Sequence, residues 1–387
     1  MTKKCSSRLT FFAFVVLMVG LGSNDSLRGI FSTIFQEHFS LTTTQLGLIV
    51  TASYIGNLVF LLVGGNLSTR FSKKRVLQVL ILIWMAALAL FAFTSNYTVL
   101  LIGMALALGS STLLNTTMNL ITPLLFATAP GFFVNFLFFT QEIGTSGSQY
   151  ILGSHANGFA FWQHTNLVLL ILGAVAFVLL LFCNVPEEAA APADAPAQKG
   201  GYDWRIIVPY VLVFGFYFIA EHGVMNWMVA YGVDGLGLPQ ASAAKYLSVF
   251  FGGMMIGRLC LSPLVDKLGA LKSLAAFGGV SCVLYLIGSL GGAVTMPVWA
   301  ISGLSFSILY PTLVMSIRLY FPAQQVSGAA GTILSIASLA DILFNVGFGK
   351  LVDMTGYAVS IRVLPLSALA FFLSLIHISE PTRLGMI

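Results

Sequence analysis

Charge is what this sequence has least of. Only 8% of its 387 residues are Asp, Glu, Lys or Arg, against about 25% in soluble domains. So few charged side chains cannot cover a chain of this length in water. With 58% apolar residues and a mean hydropathy of +0.94, an ordinary soluble protein is excluded. Cysteine is scarce as well. Cys5, Cys183, Cys260 and Cys282 are scattered, show neither metal spacing nor a disulfide framework, and read as small apolar packing residues. The Glu221-His222 pair lacks the second His of a metal site. No metal and no cofactor is therefore implied. The net charge of +5 does not point to nucleic acid, because what matters is where the cations lie.

What the chain has in abundance is long apolar runs. A bilayer-spanning helix needs about 20 mainly apolar residues, and twelve runs of that kind can be marked: 9–31, 45–67, 76–95, 98–127, 131–154, 163–184, 204–226, 241–262, 271–290, 294–318, 327–352 and 358 onward. The runs at 98–127 and 294–318 contain interior Pro or Gly and are expected to tilt or bend. The basic start Met1-Thr2-Lys3-Lys4 is followed by no small-residue cleavage site before Ile30, so the first run reads as a span and not as a signal peptide. The one linker-like stretch, 186–203, is rich in Ala, Pro and charge and divides the chain into six spans (1–185) and six more (204–372). Residues 373–387 resemble a sequencing adapter read in frame, so the twelfth span is expected to be truncated.

Orientation follows the cations. An inner N-terminus puts Lys3, Lys4, Arg8, Arg70, Lys73, Lys74, Arg75, Lys199, Arg205, Arg258, Lys267, Lys272 and Arg318 on the inner side. Arg28, Lys245, Lys350 and Arg362 fall at or near the outer side. The expected location is the cytoplasmic (inner) membrane, with the bilayer as partner and a monomer as the unit.

Two basic turns sit between apolar runs. Gly65-Asn66-Leu67-Ser68-Thr69-Arg70-Phe71-Ser72-Lys73-Lys74-Arg75 is echoed by Ser262-Pro263-Leu264-Val265-Asp266-Lys267-Leu268-Gly269-Ala270-Leu271-Lys272, with Thr69 and Asp266 lying 197 positions apart. A basic turn repeated at half-length indicates two similar halves. The turn resembles the loop between helices two and three of the major facilitator superfamily, with its Gly-x-x-x-Asp-Arg-x-Gly pattern. Thr69 and Ser72 replace the usual Asp and Gly in the first copy, while Asp266 and Gly269 keep them in the second. The resemblance implies an all-α membrane protein of twelve helices in two six-helix halves. It also implies an inner gate carried by Gly65, Arg70, Lys74, Arg75, Asp266, Lys267, Gly269 and Lys272.

Within that superfamily the chain is similar to the fucose permease group of sugar–proton symporters. The resemblance rests on Ser23-Asn24-Asp25, Phe35-Gln36-Glu37-His38-Phe39, Asn115-Thr116-Thr117-Met118-Asn119, Asn135 with Gln141, and Tyr310-Pro311-Thr312. Where that group carries an acid in helix four, this chain has Asn115. The resemblance implies a secondary active transporter of a small polar solute, such as a sugar, moved together with protons.

Ionisable groups inside spans are costly and mark function by default. Here they are Asp25, Arg28, Glu142, Glu221, His222 and Asp341. The 197-residue offset takes Asp25 onto His222, and Glu142 to within two residues of Asp341, so acids recur at matched depths. Asp25, Glu142, Glu221 and Asp341 are the candidate proton carriers, with Glu142 best placed near mid-helix. Asp25 and Arg28, one turn apart, can instead form a local ion pair, and Glu221-His222 an outer-gate hydrogen bond. Asn24, Asn115, Asn119, Asn135, Gln141, Tyr310 and Asn345 would complete a hydrophilic solute site, with Trp227 or Tyr217 stacking on a sugar face. The same amides could equally bond helix to helix.

Other classes fit less well. Gly144-Thr145-Ser146-Gly147 has the form of an intramembrane serine protease motif, but His155 and His164 lie in or beside a connection, and the duplicated plan goes unexplained. No enzyme is expected. A non-transporting sensor would carry no attached signalling domain here. Proton-antiport efflux of drugs or metabolites is the competing transport mode.

Overall fold

The computed structural model describes residues 3–126, 130–186, 203–321 and 323–379. The linker expected at 186–203 lies outside the described residues except at its two ends. The described residues form a succession of helices with no strand: α1 (Lys3–Ile30), α2 (Ser32–Phe39), α3 (Thr43–Arg70), α4 (Lys73–Phe93), α5 (Tyr97–Leu125), α6 (Pro130–His155), α7 (Phe159–Phe182), α8 (Trp204–Ala230), α9 (Gln240–Leu268), α10 (Ala270–Leu290), α11 (Met296–Ile301), α12 (Gly303–Phe306), α13 (Leu309–Ser316), α14 (Ala323–Thr355), α15 (Tyr357–Ser360) and α16 (Val363–Ser379). Among the described residues, eleven stretches are long and apolar enough to span a bilayer. The expected span at 131–154 is helical as α6 but is not among those eleven. Helix α16 continues unbroken past Phe372 to Ser379, and Tyr320 Oη donates to the Ile378 carbonyl.

The expected bend at 294–318 is a break into α11, α12 and α13. Pro311 has no N–H to give and crowds the carbonyl one turn back. Serine hydroxyls add to this: Ser302, Ser305 and Ser307 each bond the carbonyl three residues earlier, competing with the helical ladder.

The chain divides into two compact units, one comprising residues 1–41 and 48–198, the other residues 42–47 and 199–387. In the first unit α1 packs along α6, and α4 lies between α5 and α7. In the second, α8 packs along α14 and α16, and α9 lies against α12. The α1–α6 contact is backbone on backbone. A Cβ on Gly144 would fall 2.1 Å from the Val19 carbonyl oxygen, so no side chain fits there. Gly144→Val is expected to cost about 1–3 kcal/mol of stability, as overpacking does, read as a lower thermal midpoint in detergent.

The second unit takes in Thr42–Gly47, the start of α3, a boundary that the division at 186–203 did not anticipate. The reason is local. A helix leaves its first four N–H groups without helical partners, and here the donors are met from several sides. Thr42 and Gln45 form a reciprocal capping box, the Thr42 N–H donating to Gln45 Oε1 and the Gln45 N–H to Thr42 Oγ1. The Thr43 and Thr44 N–H groups donate to the two carboxylate oxygens of Asp353 at 2.7 Å each, and the Thr44 hydroxyl adds a third bond. A carboxylate at a helix N-terminus also meets the positive end of its dipole. Asp353→Ala is expected to lower stability by about 1 kcal/mol, the usual effect of a lost cap. Asp353→Asn should do so by less, and chemical denaturation of the two variants would read the difference.

The basic turns differ for a physical reason. At the second, Gly269 adopts φ +81°, a conformation that favours glycine. At the first, Ser72 sits at φ −58° and its hydroxyl accepts from the Arg75 N–H as the cap of α4. Glycine is not required there, and serine caps better. The side chains of Arg70 and Asp266 lie outside the described residues, and Gly65 has none. Lys74, assigned above to an inner gate, donates to the Leu181 and Cys183 carbonyls at 2.9 and 2.8 Å and so closes the C-terminus of α7. Lys267, Gly269 and Lys272 are exposed.

Candidate functional site

Among the described residues, polar side chains gather inside otherwise apolar helices in each unit. In the first unit the cluster begins on α1. Ser23 Oγ donates to the Val19 and Gly144 carbonyls. The Asp25 carboxylate accepts from Asn24 Nδ2 at 3.4 Å and from Ser111 Oγ on α5 at 3.4 Å. Arg28, one turn on and buried, lies with its guanidinium 5.5 Å from the centre of the Tyr54 ring, a cation–π distance.

On α5 and α6 the amides run in series. Asn119 Nδ2 donates to Asn115 Oδ1, and Asn115 Nδ2 donates to Gln141 Oε1, both at 2.6 Å. Asn115 and Asn119 are one turn apart, so their amides meet along the helix face, and Gln141 reaches them from α6. All three are half-buried. An amide carries two donor hydrogens and an acceptor oxygen, so a chain of three keeps capacity for the hydroxyls or carboxylate of a solute. Glu142 follows Gln141 and is half-buried. The side chain of Asn135 lies outside the described residues.

The second cluster crosses from α8 to α14. His222 Nδ1 lies 2.6 Å from Asp341 Oδ2. The His222 ring also stacks on Phe218, one turn earlier, at 5.3 Å and 3°. Asp341 is 1% exposed. Asn345, one turn further along α14, donates through Nδ2 to the Asp341 carbonyl at 2.9 Å and to Asp341 Oδ1 at 3.2 Å. Its Oδ1 accepts from the Trp227 indole at 2.9 Å and from Asn226 Nδ2 at 3.5 Å. An indole N–H can only donate, which fixes which end of the Asn345 amide points at the aspartate.

The structure thus brings Asn24 and Asp25 together, joins Asn115, Asn119 and Gln141, and joins Asp341 with Asn345. It puts Tyr310 among Phe214, Tyr217 and Phe218. Glu221 is half-buried beside His222. Two expectations are corrected. Trp227 and Tyr217 are both 0% exposed. Trp227 is committed to Asn345, and Tyr217 is packed against Phe306, Tyr310 and Phe371, so neither presents a face on which a sugar could stack. The His222–Asp341 contact is not among the expectations drawn from the sequence. The 197-residue offset pairs Asp341 with Gly144, and Gly144 packs against α1 as Asp341 reaches α8. That equivalence was a signal in the sequence, hidden because one copy is a glycine.

The sequence matches the family model of the Major Facilitator Superfamily over residues 10–340. Among curated proteins it is similar to the L-fucose-proton symporter of Escherichia coli (strain K12), 24% identical over 333 residues covering 75% of each chain. It is also similar to the cis,cis-muconate transport protein of Acinetobacter baylyi (strain ATCC 33305 / BD413 / ADP1), 24% identical over 297 residues, 71% of this chain and 70% of that one. Among solved structures the nucleoside transporter NupG superposes with a TM-score of 0.70 at 12% identity, covering 98% of this chain and 100% of that one.

Proposed function

The chain belongs to the major facilitator superfamily, and we propose that it moves a small polar solute by proton-coupled symport. It is a multi-pass membrane transporter and not an enzyme. The observation that carries the solute class is the Asn119–Asn115–Gln141 chain. Three linked amides inside apolar helices are expensive to desolvate unless they are satisfied, and together they suit a ligand rich in hydroxyls or carboxylate oxygens. Asp25, Glu142, Glu221 and Asp341 are the acids able to carry protons in such a site, because a carboxylate held away from water can load on one side and release on the other. The L-fucose-proton symporter and the cis,cis-muconate transport protein support the same two solute chemistries, a polyol and a dicarboxylate. The cation distribution supports a cytoplasmic N-terminus in the inner membrane.

The test is uptake by protein reconstituted into liposomes, with L-fucose, cis,cis-muconate and uridine as probes. Accumulation of a probe when the interior is alkaline supports symport. Accumulation only when the interior is acidic would assign antiport instead.

A further inference from the structure

We infer that Arg258 is a positioning residue for the solute site. Reaching across from α9, it supplies the hydrogen-bond donor that Pro311 withholds from the Ser307 carbonyl, and so holds the break between α12 and α13 beside Tyr310. The inference rests on the reading of Tyr310 as a solute contact and names what keeps that side chain in place.

In an unbroken helix the N–H of residue 311 would donate to the carbonyl of residue 307, four positions back. Pro311 has no N–H, and a carbonyl left without a donor inside a membrane is costly. Arg258 Nε donates to that same Ser307 carbonyl at 3.5 Å. A guanidinium suits the task, because it stays charged and its donors are fixed in one plane.

Glycines bring the guanidinium there by letting α9 lie backbone on backbone against α12. A Cβ on Gly257 would meet the Leu304 carbonyl and the Ser307 hydroxyl, and one on Gly303 would meet the Phe250 carbonyl. Gly257 directly precedes Arg258, so the close approach of the two helices and the donor to the break fall at one level.

The cation count put Arg258 on the inner side, but it stands about 15 Å from the C-terminal end of α9. It is half-buried and lies within the apolar stretch Gln240–Val265. A cation at that depth is costly and marks function by default. Glu221 on α8 and Arg258 are both within electrostatic reach of Tyr310, so the break places Tyr310 near one group of each sign.

The experiment is a double-mutant cycle in the full chain. Pro311→Ala restores an N–H that can donate to the Ser307 carbonyl whether or not Arg258 is present. Arg258→Met keeps an apolar stem and removes every donor. The charge lost near Glu221 is the same in both backgrounds and cancels, so the cycle isolates the bond to Ser307. Arg258→Met is expected to lower the thermal midpoint in nanodiscs by about 2–4 °C, and by less in the Pro311→Ala background. The KM for exchange of whichever of L-fucose, cis,cis-muconate and uridine is carried should rise about 3- to 10-fold, again by less in that background. Exchange needs no proton gradient, so a failure of symport leaves this readout untouched. Arg258→Lys, which keeps the charge and a donor, should recover part of both losses. It takes the place of Arg258→Met if that variant does not fold, and its own losses should again be smaller in the Pro311→Ala background. Equal effects in the two backgrounds would overturn the assignment, as would coupled melting with an unmoved KM. Where none of the probes is carried, coupled melting still assigns Arg258 to the break, and it is the solute reading that fails.

Discussion

Replacing Asp341 with asparagine is expected to abolish proton-driven accumulation while leaving solute exchange intact. A gradient of one pH unit is worth about 1.4 kcal/mol per proton, enough for about tenfold accumulation at one proton per solute. In Asp341→Asn that ratio should fall to about one. The physical reason is that asparagine keeps the size of the side chain and one oxygen that can accept from Asn345 Nδ2 or meet His222 Nδ1, so most of the packing of α8 on α14 survives. What disappears is the carboxylate able to load and release a proton. Exchange needs no net proton movement and should continue. Glu142→Gln is the informative comparison, since Glu142 was the leading proton carrier on the sequence alone. If Glu142→Gln alone abolishes accumulation, the coupling belongs to α6 and not to the α8–α14 pair.

The second large effect is expected at Asn115. Leucine there takes the donor from Gln141 and the acceptor from Asn119 in one step. Each orphaned polar group costs about 1–3 kcal/mol, so the KM of whichever probe is transported should rise about 10- to 100-fold. A parallel measurement of the thermal midpoint separates the two roles that the amides could play. If they serve only to bond α5 to α6, stability falls and the KM of the remaining folded protein does not move. If they hold solute, KM rises even where Asn115→Leu is compensated by a stabilising lipid or a lower temperature.

Much of this was legible in the sequence, and the reasons are physical. Span length is set by bilayer thickness, so the helices could be marked from apolar runs alone. The repeated basic turn gave the period of the two halves. The bend expected at 294–318 from its interior Pro and Gly is a break into short helices, whereas at 98–127 α5 continues as one helix through Pro123. Azimuth was less accessible. Whether His222 points at Asp341 depends on the rotation of α8 against α14, and neighbouring positions on a helix differ by about 100°. The offset of 197 brings Glu142 to within two residues of Asp341, and the position it reaches back from Asp341 is Gly144. Asp353 escaped notice because it lies at a helix end, where an acid is not costly. Its role depends on a Thr-x-x-Gln capping box 309 positions away from it, a pattern visible at Thr42–Gln45 but silent about which carboxylate completes it. Ser72 and Gly269 make a different point, since a departure from a family pattern became intelligible once the backbone angles were known.

The central claim is that solute and proton move together in the same direction. Its most direct measurement is uptake of L-fucose, cis,cis-muconate and uridine into proteoliposomes under an imposed pH gradient, with and without a protonophore. The account expects at least one probe to accumulate above its external concentration when the interior is alkaline, and the protonophore to collapse that accumulation. Uptake that merely equilibrates, or that accumulates only against an acidic interior, would contradict it.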